Sequence, residues 1–160
     1  MWFICYRKAN VPLLKNRVPM ESHPEKERRS MNLKEKQLKW VPGSYAVAQL
    51  PANAKVPEWA MNSKGFMSIT RTERELSIVC EEEFMPEDVQ AERGWVALCL
   101  AEPVQFNEIG ILAQLTRSIA DAEVSIFAIS TYENDYLLTK SSDSIATRQA
   151  LGEVCDISQL

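Results

Sequence analysis

Histidine is nearly absent. The only one in 160 residues, His23, lies in a charged N-terminal stretch. The remainder of the chain offers no imidazole base, no Ser/His or Cys/His pair and no histidine-bearing zinc site. That removes the commonest hydrolytic mechanisms and leaves lysine or paired-carboxylate chemistry open. No run of 18 apolar residues occurs, so no helix is expected to span a membrane. Cysteine is sparse: Cys5, Cys80, Cys99 and Cys155, with no C-x-x-C spacing. Cys80 and Cys99 sit in apolar runs, where a reduced thiol behaves as a small hydrophobe. This speaks against disulfide or metal use and fits a reducing, cytoplasmic compartment.

What is present is an ordinary globular mixture, 46% hydrophobic and 25% charged, enough for one domain or two very small ones. The charge is uneven. Residues 1–30 carry seven Lys/Arg against three Glu, a balance of +4. The other 130 residues carry eleven basic against nineteen acidic side chains, a balance of −8. An acidic body repels phosphate backbones, so nucleic acid is not an expected partner. Residues 1–30 read as weakly ordered, with Met31 as an alternative start. A basic arm that binds an acidic partner is the other reading.

Alternation and turn signals predict the elements. Pro42-Gly43 marks a turn, followed by a strand over 44–50. Pro57 to Met61 allows at most one helical turn. Strands follow over 65–70 and 75–80, joined by a short connection at 71–74. Leu76, Ile78 and Cys80 share one face of the latter, Ser77 and Val79 the other. The acidic trio Glu81, Glu82 and Glu83 reads as a solvated edge. Trp95-Val-Ala-Leu-Cys-Leu100 is continuous and apolar, hence a central strand. A helix is expected over 107–121, with Asn107 as N-cap and Ile111, Leu112, Leu115 and Ile119 as its apolar stripe. Strands over 124–130 and 135–140 then form a hairpin. A second helix follows over 142–151, with Ile145 and Leu151 inward and Gly152 at its end. From Trp95 onward the order is strand, helix, strand, strand, helix, which is ferredoxin-like without its last strand. The first half is half-similar, so the fold class is α+β with two tandem units. The strand at Trp95 closes the first unit or opens the second, or does both.

Two segments carry candidate chemistry. The turn before the long helix, through Asn107, Ile109, Gly110 and Ile111, presents free backbone N–H groups that attract an anion such as a carboxylate. Gly110 in a first helical turn is costly, which admits close approach of a ligand or of a neighbouring strand. The segment Ser130-Thr-Tyr-Glu-Asn-Asp135 brings hydroxyls, an amide and a carboxylate to one end of the sheet. Asp135 there suits an ammonium; alternatively Asp135 or Asn134 satisfies turn backbone. An enzymatic reading on Glu73, Glu75 and Asp135 lacks any accompanying nucleophile–base pair or cofactor motif. No cofactor and no metal site are expected.

The stretch Ile129-Ser-Thr-Tyr-Glu-Asn-Asp-Tyr-Leu-Leu-Thr139 resembles the signature of a family of small ACT-domain proteins. That family is similar to the ACT regulatory half of aspartate kinases and to the cytosolic arginine sensors of animals. Pro42-Gly-x-Tyr-Ala-Val, Pro57-Glu-Trp-Ala60, Ser68-Ile-Thr-Arg-Thr72, Glu75-Leu-Ser-Ile-Val-Cys80, Arg93-Gly-Trp95 and Gly110-Ile-Leu-Ala113 fit as well, so the resemblance covers about 40–151. It implies two tandem ferredoxin-like ACT units, 40–94 and 95–160, the first with a reduced first helix, behind an extension over 1–39. It implies a regulatory module, not an enzyme, with a free amino acid as ligand between units. Carried over, the candidates are Asn107, Ile109, Gly110, Ile111, Ser130, Thr131 and Asp135, faced by Thr72, Leu76 and Ser77 of the first unit. Asn134 departs from the family's Thr or Ser, and Thr139 from its Val. The expected partners are an amino acid, an effector protein of unknown identity and a second copy in a homodimer; a membrane is not expected. The competing expectation is an interaction or dimerisation domain without a working ligand site.

Overall fold

The computed structural model describes residues 33–105 and 107–158. The expectations for 1–30 and for Met31 fall outside them. Within the extension expected over 1–39, the described residues include a 3-10 turn over Leu33–Glu35 whose Leu33 is buried.

Strand β1, Gln37–Pro51, is fifteen residues long and runs through the Pro42-Gly43 pair expected to turn. The chain accommodates the pair as an irregularity in the strand. Its register against the next-but-two strand slips between Val41 and Tyr45, and again between Tyr45 and Val47. Gly43 takes φ +101°, open only to a residue without Cβ at low cost. The Tyr45 hydroxyl donates to the Pro42 carbonyl at 2.7 Å, closing the bulge.

The further elements are α1 (Glu58–Met61), β2 (Ser68–Arg71), β3 (Glu75–Glu81), β4 (Ala91–Leu100), α2 (Ile111–Asp121), β5 (Ile126–Ser130), β6 (Asp135–Lys140), α3 (Ser144–Gly152) and β7 (Asp156–Ile157). One sheet takes the order β2-β3-β1-β4-β6-β5, with β7 on β1. Strands β1 to β4 by themselves have the ferredoxin-like order β2-β3-β1-β4. The first unit's first helix is the single turn α1, and a 3-10 turn at Glu82–Phe84 stands where its second would be. Strand β4 also opens the second unit, β4-α2-β5-β6-α3-β7. Its antiparallel partners are β1 on one side and β6 on the other. The last strand of the second unit, expected to be missing, exists as two residues. Its usual place beside β4 is filled by β1, so β7 pairs parallel with β1 instead.

Alternation along β4 splits the core. Leu98 and Leu100 join Leu38, Ile111, Leu115, Ile119, Leu137 and Leu151 under α2 and α3. Trp95 and Ala97 point to the other face, with Tyr45, Val79 and Leu138. A third group, Ala46, Ala48, Ala60, Leu76, Ile78, Cys80 and Met85, lies under α1. On the face away from the helices, Phe66 stacks on Tyr136 of β6 with ring centroids 4.0 Å apart. Phe66 lies just ahead of β2, and four strand spacings in a flat sheet amount to roughly 20 Å. The sheet is therefore rolled, and this face is concave.

Helix α3 starts at Ser144, and its inward residues are Thr147 and Leu151, not Ile145, which is 73% exposed. The Thr147 hydroxyl donates to the Asp143 carbonyl and lies 3.2 Å from that of Thr139. A buried hydroxyl pair fixes this face, and a pattern of apolar residues does not reveal it. Cys80, Cys99 and Cys155 are buried free thiols. Burial pushes the Cys80 and Cys155 thiols up to about 11.

The acidic trio is more than a solvated edge. Glu81 accepts from the Ser63 hydroxyl and from the Lys64 and Gly65 backbone N–H groups at 2.9–3.2 Å. Glu82 accepts from Ser44 and from the Gly94 N–H at 2.9 Å. A Cβ on Gly65 would stand 2.9 Å from Glu81 Oε1, so a side chain there would have to displace that carboxylate. Burial alone raises the Glu81 carboxyl, but the bonds from Lys64, Gly65 and Ser63 outweigh it and hold it below its usual value of 4.5. A carboxyl depressed in the folded state contributes stability above that value and loses it as pH falls through the folded one. Glu81→Gln is therefore expected to flatten the dependence of the urea midpoint on pH below about 4.5. Equal pH slopes in the two proteins would contradict the anchoring role.

Candidate functional site

The two hairpin turns are built alike. Thr72 N–H bonds the Glu75 carbonyl, and its hydroxyl accepts from the Arg74 and Glu75 N–H groups. Thr131 N–H bonds the Asn134 carbonyl, and its hydroxyl exchanges bonds with Asn134 backbone. Both threonine hydroxyls serve their own turns. At the second turn the Asn134 amide reaches β4, accepting from the Leu100 N–H at 3.2 Å and donating to its carbonyl at 2.8 Å. Val104 N–H also bonds the Glu133 carbonyl. The strand turn and the segment leading into α2 are thus tied together at one end of the sheet.

The start of α2 differs from expectation. Asn107 is not its N-cap. The helix begins four residues later, at Ile111, and Gly110 is the N-cap with φ +85°. That conformation accounts for the glycine without ligand approach or strand packing. Before it, Glu108 accepts from the Gln105 N–H and forms an ion pair of 2.9 Å with Lys36, both side chains being largely buried. Gln105 and Glu108 close their own turn, which leaves Asn107 exposed in it. Ile109 is 71% exposed, whereas Ile111 is core. No side chain caps the helix.

A cavity of about 270 Å³ opens on the concave side. Strands β2 and β3 contribute Ser68, Thr70, Ser77 and Val79. Across from them β5 contributes Phe127, Ala128, Ile129 and Ser130. Ser68 pairs with Val79, and Thr70 with Ser77, so these four form one block on the inner face. Ser130 donates to Asp135 at 2.5 Å, which sets a carboxylate one hydrogen bond from the cavity. Beside it, Trp95 stands 6.4 Å from Phe127, under the Lys140 ammonium at 4.4 Å. Its buried indole N–H finds no acceptor among the described residues.

Of the ten candidates, Ser77 and Ser130 line the cavity and Asp135 adjoins it. Asn107, Ile109, Gly110 and Thr131 belong to the linked helix-start and turn segments. Thr72 is exposed at the first hairpin tip, and Leu76 and Ile111 are core. Ser68, Thr70, Val79, Phe127, Ala128 and Ile129 were not expected. Ser68 and Thr70 alternate with Ile69 on an edge strand, a pattern that reads as a wet face until the sheet is known to roll. Glu75, one of the acid/base candidates, accepts from Gln49. Among the described residues, no group of three or more His, Cys, Asp or Glu side chains is arranged to hold a metal. No helix among them is long and apolar enough to cross a membrane.

Rolled βαββ units sharing a sheet define the class: an ACT-type α+β protein. The ACT-domain family model matches residues 90–153. A model for the N-terminal domain of a family named after one of its members matches 43–88. A solved protein of Agrobacterium tumefaciens is 36% identical, with a TM-score of 0.72 over 77% of this chain and 92% of its own. The chain belongs to this family of small tandem ACT-domain proteins. A Vibrio cholerae protein of unknown function, described as a possible transport protein, is 18% identical with a TM-score of 0.63, over 76% of this chain and 91% of its own. Aspartokinase III of Escherichia coli, solved with aspartate and ADP, is 11% identical with a TM-score of 0.51. That match spans 72% of this chain but only 32% of the kinase. These two likenesses show the fold. No curated protein matches the chain.

Proposed function

We propose that the chain is a non-catalytic, cytoplasmic sensor module that binds a free amino acid at the interface between its two ACT units. The observation that carries this reading is the cavity shared by Ser77 of the first unit and Ser130 of the second. Its volume is near the lower end of small-molecule sites, which start at about 300 Å³. That suits a molecule of amino-acid size and is tight for a nucleotide. Asp135, beside Ser130, provides a carboxylate for the ligand's ammonium. The E. coli kinase of similar fold was solved with aspartate, which makes an amino acid the natural first probe. Output passes to an effector protein on another chain, by differential affinity for bound and free forms.

Thermal unfolding against the twenty amino acids tests the reading. A ligand at ~100 times its dissociation constant should add ~2.7 kcal/mol of stability. Asp135→Ala should abolish the shift with little loss of fold. A flat panel to millimolar concentration rejects amino-acid sensing. A shift that survives in the variant rejects the ammonium site.

A second reading has its own support. Ile109, Tyr132 and Ile145 are 71%, 82% and 73% exposed. Exposed apolar side chains and the free edges of β2 and β5 suit pairing with a second copy or another protein. A concentration-independent monomer in sedimentation would count against it.

A further inference from the structure

The cavity's lining restricts its ligand further, granted the amino-acid reading above. Among the described residues, no acidic or basic side chain lines it. The walls are Ser68, Thr70 and Ser77 with their hydroxyls, and Ala128 and Ser130 of β5, with Val79, Phe127 and Ile129 between them. A charged ligand side chain brought into such a site loses hydration without gaining a partner ion.

The main chain of a ligand has other partners. Among the described residues, strand β5 is the last in the sheet and is bonded only to β6. The turn bond from Thr131 N–H to the Asn134 carbonyl fixes which pairs bond. Bonded and non-bonded pairs alternate in an antiparallel ladder. Ile129 with Tyr136, and Phe127 with Leu138, are then the bonded pairs. Ala128 and Ser130 consequently turn their N–H and C=O groups to the free edge. This explains why two residues of outward parity border a cavity whose other β5 walls, Phe127 and Ile129, point inward.

We propose that the seam between β2 and β5 selects an amino acid with a small, uncharged side chain. The ligand's carboxylate accepts from the free N–H groups of the β5 edge and from the hydroxyls. Its ammonium meets Asp135 and an edge carbonyl. Its side chain lies among Val79, Phe127, Ile129 and the Ser77 hydroxyl. The edge reads the main chain as an added strand would be read, and the pocket reads the side chain.

Calorimetric titration of the full chain with two groups of amino acids tests this. Serine, threonine, alanine, valine, leucine and isoleucine form one group; lysine, arginine, aspartate and glutamate form the other. At least one of the first group should bind, with every member of the second at least tenfold weaker. A charged amino acid that binds as tightly or tighter overturns the selectivity and leaves amino-acid sensing intact. A flat response to all ten and to the rest of the twenty overturns both. Ser77→Val, favourable in a strand, and Thr70→Val, nearly isosteric, should each weaken the best ligand at least tenfold. Unchanged affinity in a folded variant of either kind overturns the seam as the site.

Discussion

Leu98→Ala should lower the free energy of unfolding by about 2–5 kcal/mol. Leu98 is fully buried on β4 and packs under α2 and α3 with Leu38 of β1. The lost contacts cannot be regained by collapse, because the strand is held on both sides, by β1 and by β6. The shared strand also predicts how the loss appears. Strand β4 closes the first unit and opens the second, so both should unfold in one transition. Trp59 packs in the first unit's cluster, Trp40 in the second's and Trp95 on the concave face. Tryptophan fluorescence therefore samples all three, and circular dichroism samples the whole. The two probes should give coincident urea curves in the wild type and the variant. Separated transitions would contradict the shared-strand account.

Asn134→Ala should cost about 1–3 kcal/mol, the penalty for leaving buried backbone groups without partners. Leu100 is 1% exposed, and both its N–H and its carbonyl bond the Asn134 amide. A serine or threonine there has one hydroxyl on a shorter stem, so Asn134→Thr should recover only part of the loss. Hydrogen exchange gives the local test. The amides of Leu100 and Val104 should exchange faster in the alanine variant than in the wild type, since the clamp and the Val104–Glu133 bond hold one loop against one turn. Unchanged protection of both would show that something other than Asn134 fastens that end of the sheet. The family departure noted in the sequence is therefore a structural bond between β4 and the hairpin.

Local rules read well where the chain has clean periodicity. The apolar stripe Ile111, Leu115 and Ile119 is buried as a 3.6-residue period requires. The alternation of Leu76, Ile78 and Cys80 against Ser77 and Val79 is the division between two clusters. Reading failed where two local signals competed. Asn107 is a good cap residue, but Gln105 and Glu108 close their own turn and Gly110 alone tolerates φ +85°, so the helix waits until Ile111. Pro42-Gly43 is a turn signal, yet the pairing of Gln37–Val41 and of Tyr45–Pro51 on β3, β4 and β7 carries the strand through it.

By itself, then, the sequence determined the α+β order, the ACT signature and the scarcity of histidine. All three depend on near neighbours in the chain or on composition. Only the tertiary structure decided which hydroxyls meet. Ser77 and Ser130 are 53 residues apart and lie on β3 and β5, four strand steps apart in the sheet order. They border one cavity because aromatic packing of Phe66 on Tyr136 and of Phe127 near Trp95 rolls the sheet onto its concave face. That closure depends on contacts summed across six strands, and no local pattern in either hairpin encodes it.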